Sequence, residues 1–391
     1  MKKKFKLSFA WLALAICTSA SADIPIPAIP KLDAEAYILI DAKSGEILAQ
    51  HNAEQQRDPA SLTKMMTSYV VGQALHSGRI KNDDMVVVSK DAWATGNPIL
   101  KGSSLMFLEV GKTVSVSDLN KGIIIQSGND ACIAMAEHVA GSQGAFVNLM
   151  NDYAQKIGLT HTHFETVHGL DAPGQYTTAK DMALLGQALI RDLPQEYAIY
   201  KEKEFTYTLS KPQMNRNGLL WDTTLNVDGI KTGHTNAAGY NLVASAVDGN
   251  TRLISVVLGG RTFKGREQES KKLLVWGFRF FETANPVKEG TPLTTESIWY
   301  GDENKIQLGA INGAFITVPK GRAADVQVQY KIDDYIYAPI KKGTTVGKMQ
   351  FLLDGKVINE QPLVALQNVE ETGFFGSMWD WICLQGHKLF N

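Results

Sequence analysis

The chain has 391 residues, 39 of them Lys or Arg and 40 Asp or Glu, for a formal charge of −1, with 44% hydrophobic and 20% charged residues. So even a balance excludes binding to nucleic acid through net charge, and the composition is that of an ordinary globular protein, long enough for two domains or for one large and one small. Its three cysteines, Cys17, Cys132 and Cys383, imply neither a disulfide framework nor a cysteine metal cluster.

Residues 1–22 have the three-part layout of an export signal. Lys2, Lys3, Lys4 and Lys6 form a basic head, Leu7 to Ile16 an apolar core too short for a stable span, and Ala20-Ser21-Ala22 a small-residue cleavage site before Asp23. Cys17 is a poor lipidation site because the bulky Ile16 precedes it. A polar, proline-rich start then leads to a predicted hairpin, Tyr37 to Asp41 and Glu46 to Gln50, turning at Lys43-Ser44-Gly45.

The next stretch, Asp58-Pro59-Ala60-Ser61-Leu62-Thr63-Lys64, reads as a helix start. Asp58 is the expected cap, Pro59 suits the first helical position because it has no N–H to leave unpaired, and Leu62, Met65, Met66, Tyr69 and Val70 supply a buried face. Ser61 and Lys64 stand one turn apart on one face. A lysine of lowered pKa there can act as base toward the hydroxyl, and the positive helix end favours a developing alkoxide. Alone, such a pairing arises by chance in a chain of this length, and an exposed lysine near a capping serine would look the same.

A helix from the cap Ser117-Asp118 is expected to run towards Gln126, break at Ser127-Gly128-Asn129 in a short polar loop, and restart through Ala131 to Val139. Further helices are predicted over Ala145 to Ile157 and over Ala179 to Ile190, the second behind Thr177 and Thr178. The pattern then turns to sheet: Gly229 to Gly233 as a strand, and Tyr240 to Val247 with Arg252 to Leu258 as a hairpin about Asp248-Gly249-Asn250. A closing helix follows from Ser270 to Phe281.

Asn285-Pro286 marks the expected boundary to a small all-β domain. Its strands are predicted at Ser297 to Tyr300, Phe315 to Val318, Val326 to Tyr330, Met349 to Leu353 and Pro362 to Leu366, and it shows no cluster of catalytic residue types. It reads as a spacer or binding platform. The last stretch, Gly373 to Asn391, carries Phe374, Phe375, Met378, Trp379, Trp381, Ile382, Leu389 and Phe390 among polar residues and glycines. That is a poor membrane span but suits an amphipathic helix lying in a membrane interface.

Three motifs thus stand in order and in context: Ser61 with Lys64 at a helix start, Ser127-Gly128-Asn129 in an interhelix loop, and Lys231-Thr232-Gly233 on a strand. Together they resemble the active-site serine enzymes that bind penicillin. Three further stretches sharpen the resemblance: Thr166-Val167-His168-Gly169-Leu170-Asp171, Asn215-Arg216-Asn217-Gly218-Leu219-Leu220-Trp221, and Asn226 through Thr235. They resemble the low-molecular-mass D-alanyl-D-alanine carboxypeptidases, in particular the penicillin-binding protein 5 and 6 group of Gram-negative bacteria. The resemblance covers nearly the whole chain after the signal. It implies an α+β fold with a penicillin-binding/β-lactamase-like serine transferase-hydrolase domain over 23–284, an antiparallel sheet flanked by helices. An all-β domain over 285–372 and an amphipathic anchoring helix over 373–391 follow.

The resemblance also implies roles. Ser61 would attack the carbonyl between two terminal D-alanines of a peptidoglycan stem peptide, with Lys64 taking its proton and Ser127 relaying a proton to the departing amine. Asn129 would orient Lys64 or the substrate amide, Lys231 with Thr232 would hold the terminal carboxylate, and the N–H groups of Ser61 and His234 would form the oxyanion hole. Arg216 is a further candidate for the carboxylate, with a surface role as its equal alternative. The implied partners are stem peptides, β-lactam antibiotics and, through the terminal helix, the periplasmic face of the inner membrane. No cofactor, metal or nucleic acid is implied.

Two rival functions are a class A β-lactamase and a non-catalytic penicillin sensor. The lactamase would show S-D-N where this chain has Ser127-Gly128-Asn129, and an E-x-x-L-N loop that Glu165 to Leu170 does not match. A sensor would acylate once without turnover. Zinc at His161, His163 and His168 is disfavoured, since no acidic or cysteine partner completes a ligand set and H-E-x-x-H is absent.

Overall fold

Strands with apolar residues on both faces fix the central sheet. In the computed structural model, which describes residues 25–207 and 211–373, five strands lie in the order Ile47–His51, Ala36–Asp41, Thr251–Gly260, Gly239–Asp248, Val227–Thr235, antiparallel throughout. Side chains alternate along a strand, so Ile38, Ile40, Val243, Ile254 and Val256 enter one core while Leu39, Leu242, Ala244, Leu253 and Val257 enter another. Such a sheet needs helices on both sides. The helix Phe263–Phe280 covers the second face with Leu273, Leu274 and Trp276. Helices Thr63–His76, Asn129–Ala140, Gln143–Ile157 and Ala179–Asp192 fill the first, where Leu62, Met65, Met66, Phe146 and Leu189 are buried.

Three expected helix starts move. Asp58 caps nothing: the chain enters a 3₁₀ turn, Ala60–Leu62, with no side-chain cap, and the Asp58 carbonyl instead accepts from Asn241 Nδ2 at 3.2 Å. Ser115, not Ser117, caps the helix Val116–Lys121, its hydroxyl accepting the Asp118 N–H. The closing helix begins behind Thr262 rather than at Ser270, because the polar run Lys264 to Gln268 hides a period that the fold reveals by burying Arg266 and Glu269.

The second domain is all β, as expected. Six strands form one sheet in the order Gln327–Ile332, Thr345–Leu353, Lys356–Ala365, Lys305–Gly309, Pro292–Trp299, Ile336–Tyr337, over a core of Ile306, Leu308, Met349, Phe351 and Leu363. Asp354 and Gly355, both with positive φ (53° and 74°), make the tight turn of its longest hairpin. Strand Phe281–Val287 follows the closing helix without a linker, contains Asn285 and Pro286, and pairs with Ala314–Pro319. The expected signal, and the aromatic terminal segment after Gly373, lie outside the described residues. Among the described residues no helix is long and apolar enough to cross a membrane.

One buried carboxylate joins the two domains. Asp41, at the end of a central strand and fully buried, accepts from Thr283 Oγ1 at 2.5 Å and Thr317 Oγ1 at 2.9 Å, while its other oxygen accepts the Lys43 N–H at 2.9 Å. Ser44 Oγ also meets Thr317 Oγ1 at 2.6 Å. Hydrogen bonds to a buried charge are worth about 1.5–3 kcal/mol each. Asp41→Ala should therefore lower the unfolding free energy by about 3 kcal/mol and split one calorimetric transition into two, the second domain no longer melting with the first.

Candidate active site

The turn that carries Ser61 is clamped from two sides. Ala60 has φ of 48°, a left-handed conformation unusual for a residue with a Cβ. Gly169, at φ of 87°, lies so close that a Cβ there would stand 1.9 Å from the Ala60 carbonyl oxygen. From the other side a Cβ at Gly233 would stand 3.0 Å from the Pro59 carbonyl and 3.2 Å from the Ser61 nitrogen. The missing Cβ at Gly233 lets the strand Val227–Thr235 lie close against the turn.

Lys64 is buried directly beneath. Its Nζ lies 3.1 Å from Ser61 Oγ, 2.6 Å from Asn129 Oδ1 and 2.5 Å from the His168 carbonyl oxygen. The last two are acceptors only, so in the neutral amine they take both N–H bonds and leave the lone pair facing the Ser61 hydroxyl. Burial pushes the Lys64 amine down to about 8, and the Arg216 charge adds to the fall. Asp130 opposes it. Cys132, its thiol pushed up to about 11 by burial, stays neutral near pH 7 and supplies no balancing anion.

The Thr166–Asp171 stretch contributes a backbone atom rather than a side chain. His168 is held down to about 3, by burial first and by Lys64 second, so its ring is neutral, and Nδ1 accepts the Leu170 N–H at 3.2 Å. It is the carbonyl that fixes Lys64.

Ser127 ends a π-helical turn, Gly122–Gln126, in the left-handed region at φ of 61°, and the helix Asn129–Ala140 restarts after it. This is the expected break, and it sets both Ser127 and Asn129 in the cleft wall. The neighbouring loop is tied to the same wall: the Asn129 N–H donates to the Ser104 carbonyl at 2.8 Å, and the buried Asp130 carboxylate accepts from the N–H groups of Met106 and Leu108 at 2.8 and 2.9 Å.

The strand supplies the far side. Lys231 is buried, with Nζ donating to the Thr232 carbonyl at 3.1 Å, and burial followed by the charges of Lys64, Arg216 and Arg266 holds it well below the usual lysine range. Thr232 and His234 line the cleft, the His234 ring stacked on Tyr240 at 4.1 Å. Arg266, which the sequence did not single out, is buried under the strand, donates to the Gly233 carbonyl at 3.3 Å, and is pushed down to about 10 by burial. Arg216 is solvent-exposed yet also lines the cleft. The cleft measures about 450 Å³, and among the described residues no carboxylate lines it. Cations gathered without anions make a site for a negatively charged ligand.

All seven expected site residues therefore converge on one cleft or its immediate backing. Gly169→Ala tests the clamp: a left-handed backbone and a clash with Ala60 should cost about 3 kcal/mol or more in thermal unfolding, with loss of the Lys64 to His168 contact.

Comparison with known proteins gives the family. The peptidase S11 family, described as D-alanyl-D-alanine carboxypeptidase, matches residues 22–262, and the penicillin-binding protein 5 C-terminal domain matches residues 281–371. The chain is 58% identical to the D-alanyl-D-alanine carboxypeptidase DacA of Escherichia coli K12 over 97% of its own length and 96% of the relative's. It is 57% identical to DacC of the same organism, over 97% and 95%. Penicillin-binding protein 5 from Haemophilus influenzae superposes with a TM-score of 0.82 at 51% identity, covering 88% of this chain and all of that one. The chain belongs to the peptidase S11 family of D-alanyl-D-alanine carboxypeptidases.

Proposed function

We propose that the protein removes the terminal D-alanine from peptidoglycan pentapeptide stems through an acyl-enzyme on Ser61, and that β-lactams acylate the same serine. The observation that carries this is the Lys64 amine, 3.1 Å from Ser61 Oγ with its other contacts taken by Asn129 and the His168 carbonyl. Ser61 Oγ attacks the penultimate D-alanine carbonyl as its proton passes to Lys64. The oxyanion rests between the N–H groups of Ser61 and His234. Its collapse breaks the C–N bond, and the proton returns through Ser127 to the departing D-alanine amine. Water then cleaves the ester, giving its proton to Lys64 and restoring the Ser61 hydroxyl. Lys231 and Thr232 hold the terminal carboxylate, with Arg216 and Arg266 adding to the field that attracts it. A β-lactam follows the first half of this course, its amine leaving group staying tethered to the acyl part.

The same reading extends to the ends of the chain. Residues 1–22 direct export and residues 373–391 hold the protein to the periplasmic face of the inner membrane, where trimming stems limits cross-linking and thereby bears on wall growth and cell shape. Their support is compositional: a basic head with a short apolar core at one end, and aromatic residues spaced among polar ones at the other.

Three measurements check it. Ser61→Ala should lower D-alanine release from a peptide ending Lys-D-Ala-D-Ala at least about 10⁴-fold and abolish covalent labelling by penicillin. Because Lys64 accepts a proton only when neutral and its pKa lies at about 8, kcat/KM should fall about tenfold per pH unit below that value, and it should fall again at alkaline pH as Lys231, held below the usual lysine range, loses the charge that holds the terminal carboxylate. Lys64→Arg, charged at every accessible pH, should be inactive throughout. Residues 23–391 should sediment with anionic vesicles, and the chain ending at Thr372 should stay in the supernatant.

A further inference from the structure

We infer that a groove in the β domain is the seat of the chain's own terminal segment, residues 374–391, whenever that segment is off the membrane. The inference rests on the anchoring reading and deepens it: the anchor has two places to lie, its own β domain and the lipid, and exchanges between them.

The groove holds about 410 Å³ between the end of the strand Pro292–Trp299 and the turn that enters Ile336–Tyr337. Ile332, Ile336, Trp299 and Tyr335 make its lining apolar and aromatic. Its frame is firm, since Ile298 pairs with Ile336 and Trp299 with Tyr337, and Thr294 Oγ1 meets Tyr330 OH at 3.0 Å. Glu296 and Asp334 line the same groove. Glu296 accepts from Thr294 Oγ1 at 2.7 Å and from Tyr330 OH at 3.1 Å, Asp334 accepts the Tyr335 N–H at 2.7 Å, and among the described residues neither pairs with a cation. An anionic lipid surface would repel two such carboxylates, so the groove suits aromatic side chains of the protein rather than the bilayer itself.

The place where the described chain ends names the occupant. Thr372 donates its N–H to the Tyr300 carbonyl at 2.8 Å and Glu371 pairs with Gly301, so the backbone leaves the β domain beside the residue that follows Trp299. Residues 374–391 carry Phe374, Phe375, Trp379 and Trp381, and among their side chains Asp380 is the one carboxylate and Lys388 the one ammonium. An apolar face suited to a membrane interface is costly to leave in water. Joined at the edge of the groove, the segment meets it at an effective concentration of roughly 1 mM. A seat that binds the separate segment with a dissociation constant of about 0.1 mM is then filled about nine-tenths of the time, which lowers the membrane affinity of the whole chain about tenfold.

The test uses Cys383, which lies within the segment, while Cys132 is fully buried and does not compete. In residues 23–391 without vesicles, at least one of Ser297→Cys and Asp334→Cys, both at exposed positions in the groove, should be joined to Cys383 within one chain by a short bismaleimide. Anionic vesicles should suppress the joining. Val357→Cys, exposed on the hairpin of Asp354 and Gly355, should not be joined. Ser297→Arg, which fills the groove, should bind anionic vesicles about tenfold more tightly than Val357→Arg, which adds the same charge elsewhere. The seat is overturned by any of four results: no joining at either groove position, equal joining at Val357→Cys, equal vesicle affinity of the two arginine variants, or joining that vesicles fail to suppress although the wild type sediments with them. Joining at the groove in a wild-type background that does not sediment with vesicles would overturn the anchoring reading alone.

Discussion

An amine buried with no carboxylate partner among the described residues is the constraint on which this molecule depends. Lys64 gives up its hydration to sit beneath Ser61, and only three oxygens receive it. Burial of a charge at that cost favours the neutral form, and the Arg216 charge works in the same direction, so packing first and a neighbouring cation second hold this amine below the usual lysine range. The helix Thr63–His76 delivers the lysine, the helix Asn129–Ala140 delivers one acceptor, and the turn at Gly169 delivers the other. Each element arrives from a different part of the chain, and the shared core beneath the central sheet brings them into register.

The surrounding glycines and the left-handed residues serve the same end. Ala60 and Ser127 both hold conformations that local preference opposes, and both lie where the chain changes direction at the cleft, Ala60 next to Ser61 and Ser127 in the cleft wall. Such conformations persist because close packing leaves no room to relax: the strand at Gly233 and the turn at Gly169 press on the Ser61 turn from opposite sides.

Legibility in the sequence divides along physical lines. That Ser61, Lys64, Ser127, Asn129 and Lys231 come together was readable because they are placed on recognisable starts, breaks and strands. The sheet was readable too, since Leu242, Val243 and Ala244 form an apolar run that suits burial on both faces. The His168 carbonyl was not readable, because every residue owns a carbonyl and only the fold says which one points at an amine. Arg266 was hidden for the converse reason: in a polar stretch, Lys264 to Gln268, nothing local distinguishes an arginine destined for burial from its exposed neighbours.

The helix Phe263–Phe280 has 18 residues, a rod of about 27 Å. Near one end it carries Arg266 beneath the cleft, and at the other it becomes, with no intervening hinge, the first strand of the β domain, which Asp41 then locks to the central sheet. The β domain is thus tied to the catalytic domain twice, once through backbone continuous with the helix under the cleft and once through the Asp41 hydrogen bonds, so a change at Thr283 or Thr317 is also a change at the end of a strand in the catalytic domain's own sheet.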